Sequence, residues 1–221
     1  MTLPDNLASE LFGQTPSQTV GPFFHYALPW KGGADLVGQS DLGARTDLFP
    51  PEHDLLNASS PNGTVKGDRI EIRGTILDGA GHPVPDAMLE IWQANAAGRY
   101  RSADDDRDHL PLDEGFVGFG RSSTGEQGDY RFRTVLPGRV PGPGNSLQAP
   151  HIAVSVMGRG LLKRLVTRIY FENSEGLDDD PILNLVPVER RATLIATLEN
   201  PQTYRFDIRL QGAAETVFFD I

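Results

Sequence analysis

The chain of 221 residues contains no cysteine, which excludes disulfide bonds and thiolate metal sites. A reducing compartment fits that composition, and we expect a cytoplasmic protein. No stretch approaches the roughly 18 consecutive apolar residues of a membrane-spanning helix. The first residues, MTLPDNLASELFGQ, lack the basic start and apolar centre of a signal peptide.

Positive charge is also scarce. Lys and Arg number 20 against 30 Asp and Glu, so the net charge is -10 and the pI is near 4.9. This balance disfavours nucleic acids and anionic membranes as partners and favours small molecules or proteins. Glycine and proline are abundant, at 24 and 17 residues, and predict many turns between short strands.

Alternation of apolar and polar residues predicts most of the strands. In GDYRFRTV, Tyr130, Phe132 and Thr134 alternate with Arg131, Arg133 and Val135. Further strands are predicted in DRIEIRGTIL, MLEIW, HIAVSVM, KRLVTRIYF and TYRFDIRLQG, and at Thr216 to Phe219. The turn DGAGHPVPDA predicts a hairpin between the first two of these. The Pro/Gly-rich segment from Pro137 to Pro150 is expected to be a surface loop.

One helix is expected late in the chain. Pro187 suits a first helical turn, and Leu194, Ile195 and Leu198 would form its apolar stripe. Short strands, many turns and a single helix predict an all-β protein, a β-sandwich of mixed and antiparallel sheets with one late helix and long loops.

The chain divides near residue 66. Residues 1–66 are an N-terminal arm followed by a polar, weakly periodic, loop-rich segment, and residues 67–221 carry the strands of the sandwich domain. The arm contains TPSQTVGP and then Phe23, Phe24, Tyr26 and Trp30, whose apolar area needs burial. Two interpretations stay open: the arm covers its own core, or it packs on a partner chain and helps to wall a pocket.

A strand that ends in LPG, a Pro-rich loop, and a His at the head of the next strand together form the layout of the intradiol ring-cleaving dioxygenases. The chain resembles that family from Thr15 to Asp220, with the motifs TPSQT-x-GP, LEIWQA, FGR, APHI, GRG, RIYF, YRFDI and ETVFFD. The resemblance implies a β-sandwich that opens catechols between their hydroxyls at an Fe(III) ion held by two Tyr and two His.

The positions of the four iron ligands fall on Asp108, Val140, His151 and Ala153, and the position of an assisting Arg falls on Gln148. The resemblance is therefore to the iron-free alpha chain of two-chain members. It implies a homologous beta chain that binds Fe(III), an alpha-beta hetero-oligomer, and cleavage of 3,4-dihydroxybenzoate with O2 to 3-carboxy-cis,cis-muconate. In this chain we expect no catalytic residue and no metal ligand, no activity when it is isolated, and a structural role for His151.

The resemblance also implies that this chain lines the substrate pocket. Thr19, Gly21 and Pro22 of the arm would lie beside bound substrate, and Arg159 in GRG would help to hold its carboxylate. The alternative for Arg159 is a turn residue paired with a surface carboxylate, a contact worth about 0 to 1 kcal/mol.

Two other functions fit the residues. A stand-alone β-sandwich binding or structural module without catalysis also explains the missing ligands. A self-sufficient metalloenzyme would instead combine His109, the acidic loop 104–109 and His151, because clustered carboxylates bind hard cations. The spacing of that loop matches no calcium-binding pattern, and a solvated loop is the other interpretation.

Overall fold

The computed structural model describes residues 18–21, 33–38, 40, 42 and 65–220. Within these ranges nine strands form one main sheet that folds into a nearly closed sandwich, and two short strands form a separate hairpin. The strands are β1 (Arg69–Leu77), β2 (Met88–Trp92), β3 (Phe119–Ser123), β4 (Asp129–Val135), β5 (Val140–Pro141), β6 (Leu147–Gln148), β7 (His151–Met157), β8 (Leu165–Phe171), β9 (Ile195–Asn200), β10 (Thr203–Arg205) and β11 (Ile208–Arg209). One α-helix, α1 (Val188–Arg191), lies between 3-10 helices at Leu183–Leu185 and Ala192–Leu194.

The main sheet consists of two halves joined through β9. In one half β3, β2, β7 and β8 are neighbours and run antiparallel. In the other, β1 pairs antiparallel with β4 and parallel with β10 and β11. The start of β9 pairs parallel with β8, and its remainder pairs antiparallel with β10. The predicted all-β sandwich with mixed pairing is thus confirmed.

The core lies between the two halves. On β4 the residues alternate as far as Thr134, with Tyr130 and Phe132 buried and Arg131 and Arg133 exposed, as the sequence predicts. Val135, expected on the face of the arginines, is buried as well. Ile72 of β1 stands opposite Phe132 and is fully buried. From the other half, β7 contributes its apolar residues at alternate positions, Ile152, Val154 and Val156. Burial of these side chains provides the main stabilisation of the sandwich.

A close backbone contact fixes the chain beside β1. Tyr130 is buried, and its hydroxyl donates to the carbonyl oxygen of Phe206 at 2.5 Å. A Cβ atom on Gly74 would overlap that same carbonyl group, so only glycine permits the approach. The contact holds Phe206, between β10 and β11, against β1 and β4.

The predicted hairpin between β1 and β2 is wrong. β1 pairs with β4, β10 and β11, whereas β2 pairs with β3 and β7. The turn between them, residues 78–87, therefore crosses from one half of the sandwich to the other. Apolar alternation identified both strands, but partners distant in sequence determine how they pair.

The predicted late helix is present directly after Pro187, but it is much shorter than its expected apolar stripe. Helix α1 is only four residues long, and Ile195 and Leu198 lie in strand β9. Pairing of Ile195 and Ala196 with the end of β8 prevails over the helical spacing of the apolar residues. The predicted strand from Thr216 to Phe219 is reduced to a single bridge between Phe219 and Val166.

Part of the predicted loop-rich segment packs on the sandwich. Ala34, Leu36 and Val37 are buried in the main core, and Leu36 donates to the backbone oxygen of Arg133 at 2.8 Å. The division of the chain at residue 66 stays a prediction. In the described ranges no helix has the length and apolar character needed to cross a membrane.

Candidate functional site

The outer face of strands β7 and β8 holds the residues that the sequence singles out. Because Ile152 and Val154 fill the core, their neighbours His151 and Ala153 face away from it. Across the ladder, His151 is opposite Tyr170 and Ala153 is opposite Arg168. One surface of the sheet thus brings together a histidine, a tyrosine and an arginine.

His151 lies at the start of β7, where a nearby backbone carbonyl group orients its ring. The residue is 6% exposed, and its Nδ1 lies 2.9 Å from the carbonyl oxygen of Ala149. Burial, reinforced by the charge of Arg168, lowers the pKa of His151 to about 4. The imidazole is therefore neutral at pH 7, and its Nδ1–H donates to Ala149. This arrangement is that of a structural histidine.

Asp180 connects the segment at residues 180–183 to Ala149, just before β7, by hydrogen bonds. The side chain is fully buried; Oδ2 accepts from Ala149 N at 2.7 Å, and Oδ1 accepts from Leu183 N at 2.7 Å and Ile182 N at 2.9 Å. The Tyr170 hydroxyl donates to Oδ1 at 3.0 Å. Four donors satisfy this carboxylate, as a buried charge requires.

Arg168 completes this network. Its Nη1 donates to Gln148 Oε1 at 2.6 Å and lies 3.3 Å from the Tyr170 hydroxyl. Gln148 is the residue at which the family resemblance places an assisting arginine. In this chain the guanidinium of Arg168 contacts the side chain at that position, and the guanidinium of Arg139 contacts its backbone oxygen at 3.4 Å.

The other ligand positions do not fit Fe(III). Asp108 has an 89% exposed side chain and accepts from Arg99 at 2.5 Å. Val140 is buried and apolar, and Ala153 has no donor atom on its side chain. The ferric site of the dioxygenases that the sequence resembles needs phenolate and imidazole ligands together, and of these four positions only His151 carries one of those two groups.

The acidic loop is held by its own arginine. Arg107 forms two contacts with Asp105, at 2.7 and 2.5 Å, and this ion pair lowers the pKa of Asp105 to about 2. His109 is exposed. Across the described ranges no three His, Asp or Glu side chains converge in an arrangement that could hold a metal ion.

The arm residues 18–21 lie against the turn between β7 and β8. Thr19 Oγ1 donates to the carbonyl oxygen of Leu161 at 2.7 Å. Gln18 and Val20 border a cavity of about 90 Å³ with residues of that turn, including Lys163 and Arg164. Gly21 is exposed, and no atom of the described residues lies within 4 Å of a Cβ built on it. Pro22 lies outside the described residues.

Arg159 belongs to the same turn, so the structure brings it and Thr19 into one region. The Nε of Arg159 donates to the Asp86 carboxylate, and the arginine side chain is 52% exposed.

Three further residues of this turn were not singled out from the sequence. They are Leu161, whose carbonyl oxygen binds Thr19, and the cations Lys163 and Arg164. Lys163 pairs with Asp220 at 2.5 Å, whereas Arg164 has no hydrogen-bond or ion-pair partner within the described ranges. The basic run GRGLLKR was the signal for this cluster.

A family model described as "Dioxygenase" matches residues 46–212. The chain is 43% identical over 216 residues to the protocatechuate 3,4-dioxygenase alpha chain of Burkholderia cepacia, covering 94% of this chain and 98% of the relative. The chain belongs to the intradiol ring-cleaving dioxygenase family. The family resemblance predicted from the sequence is thereby confirmed.

Other members of the intradiol dioxygenase family give the same result. The protocatechuate 3,4-dioxygenase alpha chain of Pseudomonas putida is 37% identical over 217 residues, covering 96% of this chain and 98% of the relative. The beta chain from Burkholderia cepacia is 39% identical over 192 residues, covering 83% and 79%. This chain thus resembles both kinds of subunit along most of its length.

Solved structures of intradiol dioxygenases share the fold. The dioxygenase domain of a carbohydrate-binding fusion protein from Streptomyces sp. SirexAA-E has a TM-score of 0.54 at 22% identity, covering 91% of this chain and 100% of that chain. Hydroxyquinol 1,2-dioxygenase from Pseudomonas putida DLL-E4 has a TM-score of 0.56 at 19% identity, covering 88% and 65%. At these identities the similarity concerns the fold alone.

Proposed function

We propose that this chain is the iron-free alpha subunit of a protocatechuate 3,4-dioxygenase. The observation that carries the proposal is its identity of 43% and 37% to two alpha chains over nearly its whole length. The replacement of three of the four ligand positions by Asp108, Val140 and Ala153 supports it, because these residues cannot complete a ferric site. A homologous beta chain would bind Fe(III), and the complex would convert 3,4-dihydroxybenzoate and O2 to 3-carboxy-cis,cis-muconate.

In this proposal the chain shapes one wall of the partner's substrate pocket. Thr19, Gly21 and Pro22 would line that wall, and the bond from Thr19 to Leu161 would hold the arm in place. The exposed, open position of Gly21 leaves room for another molecule at its surface. The arm would thus serve as a preformed edge of a shared site.

Arg159 would bind the substrate carboxylate. Its contact with Asp86 uses Nε, which leaves N–H donors on both terminal nitrogens. The pair with Asp86 orients the side chain, and an exposed pair of this kind contributes only about 0 to 1 kcal/mol. A charge-assisted bond to a substrate carboxylate is worth about 1.5 to 3 kcal/mol.

Co-expression with a beta chain tests the proposal. Oxygen uptake dependent on 3,4-dihydroxybenzoate is measured for the complex and for each purified chain. We expect activity at full rate only in the complex, because the donor set of this chain does not fit iron. Failure of the two chains to associate would contradict the proposal and favour a stand-alone β-sandwich binding module.

A further inference from the structure

A cavity of about 470 Å³ opens on the outer face of β7 and β8, and it shares no lining residue with the small cavity beside arm residues 18–21. Ala153, Val166, Thr167 and Arg168 form its floor, and its walls come from the segment around α1 and from the end of the chain. The wall residues are Ile182, Leu185, Val186, Pro187, Arg190, Val217 and Phe219. The volume and the apolar lining are typical of small-molecule sites.

The floor of this cavity carries a cation without a counter-ion. Arg168 is half-buried, and its two hydrogen-bond partners, the Gln148 amide oxygen and the Tyr170 hydroxyl, are neutral. Within the described ranges no carboxylate comes within ion-pair distance of Arg168. A guanidinium in an apolar cavity is stabilised by an anion that completes its hydrogen bonds.

The neighbouring groups do not supply that anion. Burial keeps the pKa of Tyr170 above its usual range, so its hydroxyl stays protonated, and His151 is neutral. The buried Asp180 is satisfied by four other donors. On the rim Arg190 donates to the backbone oxygen of Glu215 at 2.9 Å, with the Glu215 carboxylate at 3.9 Å.

The apolar walls define the other half of the ligand. The Phe219 ring lies 5.9 Å from the Arg168 guanidinium, and Val166, Val186 and Val217 surround the same space. We propose that the cavity binds a small organic carboxylate with an apolar body, its carboxylate paired with Arg168 and its body against Phe219. This site lies outside the proposed pocket wall and uses none of its residues.

The test measures binding of benzoate to the full chain by titration calorimetry, with benzamide as its uncharged counterpart. We expect one benzoate per chain and at least about ten-fold weaker binding of benzamide, because the amide cannot pair with Arg168. Hexanoate, a carboxylate without a ring, shows whether the aromatic body matters. Equal affinity for benzoate and benzamide, or no binding of benzoate, would overturn the proposal.

Three variants locate the site. Ala153→Phe fills the floor of the cavity and leaves Arg168 in place, whereas Arg168→Met removes the charge. Each is expected to weaken benzoate binding at least about ten-fold. Arg131→Met is the matched control, because Arg131 is an exposed arginine 3.6 Å from Glu71 in the other half of the sandwich. Thermal unfolding identifies any variant that fails to fold.

Two results decide against the proposal even when benzoate binds. If folded Ala153→Phe binds benzoate as the wild type does, the ligand occupies another place. If assembly with a beta chain abolishes the binding that depends on Ala153, the cavity belongs to the subunit interface. Leu185 and Val188, which are 78% and 73% exposed, belong to the same segment and make this second comparison necessary.

Discussion

Gly21 gives the simplest test of the proposed pocket wall. Since no atom of the described chain lies within 4 Å of a Cβ at this position, Gly21→Ala should leave the melting temperature unchanged. In the complex the added methyl group would meet the substrate, and kcat/KM for 3,4-dihydroxybenzoate should fall at least about ten-fold. Glu126→Ala, in an exposed turn, is the control. Unchanged kinetics of Gly21→Ala would remove Gly21 from the pocket.

Arg159 has a prediction that separates binding of substrate from a structural role. In the complex, Arg159→Ala should raise KM for 3,4-dihydroxybenzoate about ten-fold or more and leave KM for catechol unchanged, because catechol lacks the carboxylate. Asp86→Asn tests the supporting ion pair and should have a smaller effect. Equal losses with both substrates would mean that Arg159 acts only through the fold of its turn.

His151 makes folding stability depend on pH. Its pKa is lowered to about 4 in the folded chain by burial and by Arg168, and it returns to about 6.5 on unfolding. Between these values the unfolded chain binds more protons, so stability is lost as the pH falls from about 6.5 to about 4, by up to about 3 kcal/mol. Urea unfolding across this range should show a flatter profile for His151→Gln. His109→Gln, at an exposed position with no ion pair in the described ranges, is the control. Parallel curves for the wild type and His151→Gln would contradict this explanation.

At the scale of elements, the contact between Tyr130 and Phe206 holds β11 and its connection against β1. Tyr130→Phe should lower the free energy of unfolding by about 1 to 3 kcal/mol, because the buried carbonyl group of Phe206 loses its donor. Tyr204→Phe is the matched control, since the Tyr204 hydroxyl has no hydrogen-bond partner within the described ranges. Chemical denaturation compares the two variants, and equal stabilities would contradict the importance of this bond.

The strands were predictable where one face is buried and the other exposed. Alternation located β4 and β7 to within a residue, because each faces the core with every second side chain. The same reasoning could not identify the strands that pair with β1. It also predicted a helix for residues that lie in strand β9. Both errors arise because pairing between distant segments, such as Ile195 with Tyr170, has no local signal.

The candidate site was predictable only in part. The motif GRG and the arm pointed to Arg159 and Thr19, which the structure places at one turn. The network of Arg168, Tyr170 and Asp180 was not predictable, because its members are ordinary strand and turn residues until the fold brings them together. Short motifs report local geometry, whereas a buried polar network depends on several segments at once.

At the scale of the whole molecule, the chain has the dioxygenase sandwich, while three of the four ligand positions that the resemblance implies hold other residues. The sandwich needs only apolar alternation and a few fixed contacts, so it tolerates Val140 and Ala153 where a metal site would not. Exposed Leu162 lies in the turn that carries Arg159, with 86% of its surface accessible. The proposed assembly with a beta chain would lower the free energy of this apolar surface if it covers the turn.

The iron content of a purified complex with a beta chain of known stoichiometry tests the central claim most directly. Metal analysis of the complex and of this chain alone, each after dialysis, gives the ratio. We predict one iron per pair of chains and no stoichiometric iron in the isolated chain, because in the proposed complex only the partner would have a complete donor set. Two irons per pair, or a tightly bound iron with a phenolate absorption band in this chain alone, would contradict it.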